Sequence, residues 1–380
     1  MIKEIKIENF KSIESLNLKL GRLNVFIGAN GSGKSNILEG IAMGSAAIDN
    51  KLDYEFLSKR LRWTDANLMK SAFNSNGEDI TIKITSADDH EDNFGFDSII
   101  LKLLFNKQNG EWLCNFISPF EGENDTKIEE DRISKLITKA RKITGEAGIY
   151  NFMHNYSTKF AFTNFLIFAP ENYFLRRFEE DGQIKPLGVR GEGLYSHIVK
   201  FFKEKPDLFK KINEHLQLLD WFDGFEIPND LMFTERRIKI KDRFLEEGLQ
   251  YFDQRSANEG FLYLLFYLTL FISDETPKFF AIDNIDNAMN PKLGRELIKI
   301  LAKLAKEHEK QTILTTHNPS VLDGLDLNDD EQRLFVIYRN ADGHTKAKRI
   351  FKKEMPVGVA PMPLSELFLK GIIGGLPKNF

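Results

Sequence analysis

One octapeptide constrains this chain more than any other part of its 380 residues. The apolar run Leu23-Asn24-Val25-Phe26-Ile27 leads straight into Gly28-Ala29-Asn30-Gly31-Ser32-Gly33-Lys34-Ser35, and the helical pattern SNILEGIAMGSAAI follows. Strand, glycine-rich turn and helix stand in the order that G-x-x-x-x-G-K-[ST] requires. In such a loop backbone N–H groups wrap phosphates and the helix N-terminus adds partial positive charge. The pattern predicts ATP as ligand, held by Gly28, Asn30, Gly31, Ser32, Gly33, Lys34, Ser35 and Asn36. Lys34 would reach the β- and γ-phosphates, and the Ser35 hydroxyl would hold Mg2+.

A loop of this kind needs an acid at the end of a second buried strand. Phe279-Phe280-Ala281-Ile282-Asp283 offers one, with Asp283 reaching Mg2+ through water. Further strands are expected over 2–8, 16–20, 79–86, 98–105, 111–117, 165–169 and 311–315, and the alternation at 232–240 reads as another. Helices are expected over 120–146, 193–219, 261–272 and 293–307. The first and last thirds thus alternate strands with helices, the pattern of an α/β protein with a parallel sheet covered by helices. The 33 Phe against 9 Tyr favour a large buried core, because Phe has no polar atom to satisfy.

Several segments, in one order along the chain, resemble the motifs of SMC/RecF-like ATPases, the branch of the ABC superfamily that includes compact prokaryotic anti-phage ATPases. ENFKSI at 8–13 and GANGSGKSN at 28–36 resemble that family's opening. Asn258-Glu259-Gly260, before an apolar helix, stands where a signature Ser-Glu/Asp-Gly would be, and the Asn258 amide would replace the serine hydroxyl as a phosphate donor. DNIDNAMNP at 283–291 is similar to the family's Walker B and D-loop. TTHNP at 315–319 is similar to its switch segment, which makes His317 the γ-phosphate sensor. APEN at 169–172 lies where a Q-loop is expected but lacks the glutamine, leaving Glu171 or Asn172 for that role. PLSELFLKGIIGGLPKNF resembles the closing segment of compact members.

The resemblance implies an ABC-ATPase head: a P-loop sheet flanked by helices, with an antiparallel β-lobe and a helical lobe carrying the signature. Residues 1–380 would form one composite head: a Walker A lobe (1–50), a β-lobe with insertion (51–160), a helical region ending in the signature (161–260), and the Walker B, switch and closing segments (261–380). It also implies ATP and Mg2+ as cofactors, and a homodimer or higher oligomer in which each signature completes the partner's site. Active members carry glutamate after the Walker B aspartate, and here that residue is Asn284. A carboxamide orients water but takes no proton, and general-base help is worth roughly 10²–10⁴-fold. Slow or conditional turnover is therefore expected, with Asp286 the nearest acid able to substitute.

Other classes fit less well. A net charge of -4 speaks against coating nucleic acid by bulk charge, although basic stretches at 59–62, 236–243 and 346–353 leave DNA open as a partner. One cysteine, Cys114, excludes an internal disulfide and any Cys-pair zinc site, and fits a reducing cytosol. The start MIKEIKIENF is charged from its third residue, and the apolar run at 261–272 is too short to span a bilayer, so a cytoplasmic protein away from membranes is expected. The short stretch between the P-loop and Asn258 and the short run after His317 lead to the expectation of neither a long coiled coil nor an appended nuclease. A separate effector, a nuclease or toxin, is the expected partner in anti-phage defence; the alternative is a RecF-like DNA-binding ATPase of genome maintenance.

Overall fold

The computed structural model describes residues 1–49, 51–58, 66–71, 73, 79–86, 98–106, 111–117, 162–178, 184–228, 236–246, 251–352 and 362–376. In chain order the elements are β1 (Ile2–Phe10), β2 (Ile13–Lys19), β3 (Leu23–Ile27), α1 (Lys34–Ile48), α2 (Tyr54–Ser58), α3 (Ala66–Met69), β4 (Ile80–Ser86), β5 (Ser98–Asn106), β6 (Glu111–Ile117) and β7 (Ile167–Phe168). There follow α4 (Asn172–Arg177), α5 (Leu194–Glu204), α6 (Pro206–Leu216), β8 (Phe222–Glu226), β9 (Lys239–Asp242), β10 (Tyr251–Phe252), α7 (Glu259–Ile272), β11 (Phe279–Ile282) and α8 (Pro291–Glu307). β12 (Gln311–Thr316), a 3-10 turn (Pro319–Gly324), β13 (Gln332–Arg339), β14 (Thr345–Ile350) and α9 (Leu364–Leu369) complete the order. Two compact units result: Met1–Ile167 with Arg333–Phe351 and Gly374–Phe380, and Phe168–Gln332 with Lys352–Ile373.

In the first unit an antiparallel sheet runs in the order β2-β1-β4-β5-β6. Alternation along IKEIKIENF puts Ile5 and Ile7 on its buried face, opposite Leu18 and Leu16 of β2 and Ile84 and Ile82 of β4. Helix α1 packs closely on that face because two glycines one turn apart offer no side chain. A Cβ at Gly40 would stand 3.1 Å from Ile7 Cδ1, and one at Gly44 would stand 3.2 Å from Ile82 Cδ1. Strands β14, β13 and β3 lie side by side in the same unit. All five residues of β3 are buried, and the Phe26 ring meets Phe335 of β13 edge-on at 5.5 Å. A strand buried on both faces holds the phosphate loop at its C-terminal end.

The second unit is built on β11 and β12, parallel and in register from Phe279↔Gln311 to Ile282↔Leu314, with β7 on the far side of β11. Helix α7 is buried at every residue from Gly260 to Ile272, as expected of a helix apolar all round. Its Phe266 stands edge-on to Phe168, and its Phe271 to Phe280. Helix α8 buries Leu293, Leu297, Ile298, Leu301 and Leu304 at helical spacing. Asn290 starts it by accepting the Leu293 N–H at 2.9 Å, with Pro291 in the first turn. β8, β9 and β10 form a separate antiparallel sheet.

The elements differ from the sequence expectations in instructive places. The helices expected over 193–219 are present as α5 and α6, divided where Pro206 cannot continue α5 and instead opens α6. The strand expected over 165–169 shrinks to Ile167–Phe168, since the Phe165 N–H is spent on Ser45 Oγ at 3.1 Å. The alternation at 232–240 yields a strand only from Lys239. The expected helix at 120–146 and the basic stretch at 59–62 lie outside the described residues. Among the described residues no helix is long and apolar enough to cross a membrane.

Burial makes one residue of the second unit pH-sensitive. His197 of α5 is 3% exposed, and its Nε2 lies 2.6 Å from Ser273 Oγ at the end of α7. Burial lowers its pKa from 6.5 to about 4, so the unfolded chain takes up a proton there before the folded one. Stability is then fully present above pH 6.5 and falls as the pH drops towards 4, by up to about 3 kcal/mol. His197→Gln should flatten this part of the profile in urea unfolding at neutral and mildly acid pH. An unchanged slope would remove His197 as the cause.

Candidate functional site

Helix α1 begins at Gly33, which has φ 105 and provides no side-chain cap. No side-chain cap competes with an anion for this helix start, whereas α7 and α8 are capped by Asn258 and Asn290. Gly31 (φ 74) and Gly33 take backbone angles that suit glycine. Lys34 is 6% exposed and its ammonium turns back into the loop, donating to Gly28 O at 2.8 Å and Ala29 O at 3.2 Å. Asn30 and Gly31 at the tip are exposed. Arg339 of β13 donates from Nε to Gly31 O at 3.0 Å and from Nη1 to Gly343 O, which fixes the tip from behind. Lys11 of the ENFKS segment pairs with Glu39 of α1 at 2.7 Å.

In the second unit, the end of β12 organises the acidic turn after β11. Thr315 Oγ1 donates to Asp283 Oδ1 and accepts the Asn284 N–H at 2.9 Å. Thr316 Oγ1 donates to Asp286 Oδ1 at 2.7 Å, and the His317 N–H approaches the same oxygen at 3.4 Å. The structure thus brings Asp283, Asn284, Asp286 and His317 together, with His317 exposed. Asn284 has φ 56, a left-handed conformation that asparagine tolerates better than most residues. Thr315 and Thr316 were visible in the sequence only as part of TTHNP; their side chains act on residues some 30 positions away.

Asn258 caps α7 by accepting the Phe261 N–H on Oδ1 at 2.8 Å. Glu259 accepts from Asn172 Nδ2 at 2.5 Å. Asn172 in turn accepts from Arg176 Nε at 3.2 Å, and Arg176 Nη1 donates to Arg255 O at 2.6 Å and Ala257 O at 2.8 Å. Asn172 is therefore engaged inside this cluster, while Glu171 is exposed. Gly260 lies close to the acidic turn: a Cβ there would stand 3.3 Å from Ala288 O. Arg236, Arg243 and Lys241, from the basic stretch at 236–243, are spent on Phe178 O, Gln217 and Asp223.

Each unit thus carries one group of the expected residues: 28–36 in the first, and 171–172, 258–260, 283–286 and 317 in the second.

The family model described as "AAA domain, putative AbiEii toxin, Type IV TA system" matches residues 23–323. The DNA replication and repair protein RecF of Alkaliphilus oremlandii is 47% identical over 56 residues, 14% of this chain and 15% of RecF, so the chain spans only a small part of that relative. An SMC head bound to the C-winged helix domain of ScpA superposes with a TM-score of 0.50 at 16% identity, covering 93% of this chain and 98% of that one. The SMC head from Pyrococcus furiosus, with an extended coiled coil and bound to the C-terminal domain of ScpA, gives 0.51 at 14% identity over 92% and 96%. At such identities the two structures speak for the fold. The fold is that of an SMC head domain, and the chain belongs to the AAA-domain family described as putative AbiEii toxin of type IV toxin–antitoxin systems.

Proposed function

We propose that this ATPase works as a nucleotide-gated head with slow or partner-dependent turnover, one that dimerises around ATP and regulates a separate effector in anti-phage defence. The observation that carries the nucleotide part is the uncapped N-terminus of α1, with Lys34 buried beside it on the carbonyls of Gly28 and Ala29. In this reading 28–36 cradle the triphosphate, Lys34 neutralises the β- and γ-phosphates, and Ser35 and Asp283 hold Mg2+. Bound Mg2+ supplies charge neutralisation at the phosphates. Asn258-Glu259-Gly260 act on the partner subunit's nucleotide, with the NH2 of Asn258 as donor. His317 senses the γ-phosphate, and Asn284 orients the attacking water without taking its proton.

Slow turnover suits a gate. Contacts to the γ-phosphate from both subunits favour one state, and hydrolysis releases them. Asp286 is the substitute base, although Thr316 and the His317 N–H already engage one of its oxygens. Asn284→Glu is expected to raise steady-state Mg-ATP turnover at least tenfold. Part of that gain is offset by forcing glutamate into a left-handed conformation, at about 1 kcal/mol. No gain would mean that another group already serves as base. ATP-dependent dimerisation is read by light scattering of the purified chain with and without Mg-ATP; a monomer in both would sink the gate. The effector role follows the family description, with its toxin–antitoxin wording. The RecF match favours a second reading, a DNA-binding ATPase, which requires tight, salt-dependent DNA binding by the isolated chain.

A further inference from the structure

We propose that Ser12 and Thr345 are positioning residues of the phosphate loop, holding it in its anion-binding shape through one directed chain of hydrogen bonds. The two residues are 333 positions apart, and both lie outside the 23–323 span matched by the family. Thr345, the first residue of β14, is fully buried, and its N–H donates to Ser12 O at 2.8 Å. The two hydroxyls are 2.7 Å apart. Asn36 Nδ2, in the first turn of α1, lies 2.6 Å from Ser12 Oγ, and Thr345 Oγ1 lies 3.2 Å from Ser32 O within the loop.

The ends of the chain set its direction. An amide NH2 only donates and a carbonyl only accepts, while each hydroxyl has one hydrogen to give. Asn36 therefore donates to Ser12, Ser12 donates to Thr345, and Thr345 donates to Ser32 O. Every donor is used once, and the chain joins both ends of the Ser32–Asn36 segment to the β1–β2 turn and to β14. The loop backbone also rests on the same threonine, since a Cβ at Gly33 would overlap the Thr345 side chain. Glycine at φ 105 has wide freedom of its own, so the loop needs an outside template. Thr345 supplies one by contact and by hydrogen bond.

The proposal rests on ATP being bound at this loop, and Lys34→Ala separates the two claims. Binding of a fluorescent ATP analogue with Mg2+ is titrated on the full chain for the native protein, K34A, T345V, T345S, S12A and the S12A/T345V double variant. T345V keeps the shape of threonine but leaves Ser32 O without its donor. It is expected to raise Kd about tenfold, whereas T345S, which keeps the hydroxyl, stays within about twofold of the native protein. The double variant should bind no more weakly than T345V, because both changes break one chain. If K34A loses binding while T345V binds as the native protein does, the positioning role is overturned and the ATP site stands. If K34A binds normally, the ATP reading falls and the proposal with it. Should T345V fail to fold, S12A decides the matter at the other hydroxyl: a Kd raised severalfold supports the chain, and an unchanged one overturns it.

Discussion

Lys34→Ala is expected to weaken Mg-ATP binding at least a hundredfold and to bring turnover to background. Lys34 is almost fully buried, and its ammonium already sits inside the loop on two main-chain carbonyls before any phosphate arrives. Placed there it meets an anion at little cost in side-chain entropy, and charge-assisted bonds to phosphate are the strong kind. A hundredfold loss corresponds to about 2.7 kcal/mol, modest for one such contact in a shielded site. The fold should survive, because alanine is the best helix former and Lys34 opens α1. Equilibrium titration with a fluorescent ATP analogue and a steady-state phosphate assay check both halves. Retained binding would mean that ATP is not held at this loop.

Gly28→Ala should instead strike the fold. A Cβ at Gly28 would overlap the carbonyl oxygen of Ile337, a main-chain atom of β13 with no flexible end to move aside. Relief requires β3 and β13 to shift in a region where Phe26 and Phe335 are already packed edge-on. Overpacking that displaces backbone costs about 3 kcal/mol or more, a large part of a typical domain's stability. Gly31→Ala is the matched control. Nothing lies within 4 Å of a Cβ there, so only the φ of 74 opposes it, at roughly 1 kcal/mol. Urea unfolding of the two variants should differ accordingly. Equal midpoints would show that the close approach of Gly28 to β13 is not what forbids a side chain.

Local pattern made much of this protein readable. Alternation over 2–8, the apolar run before Gly28 and the all-apolar 261–272 each became the element expected, because one segment's own periodicity decides which face is buried. Asn258 and Asn290 prove to be helix caps, each acting within three residues. The glycine-lysine loop is likewise local, so its place between a buried strand and a helix was legible from consecutive residues.

The parts that escaped are those in which a side chain serves a distant partner. Nothing in TTHNP says that Thr315 would hold Asp283 and Asn284 while Thr316 takes Asp286. Asn172 was open as a Q-loop substitute, and the fold engaged it with Glu259 and Arg176. Asn284 read only as a missing glutamate, and its left-handed backbone emerged with the turn after β11. Taken alone, the sequence determined that this chain has a glycine-rich loop between a buried strand and a helix of an α/β fold, because periodicity and glycine spacing act over a few residues. The tertiary structure alone decided what holds that loop and orders the acids: hydrogen bonds such as that of Ser12 with Thr345 link residues brought together only when β1, β13 and β14 assemble.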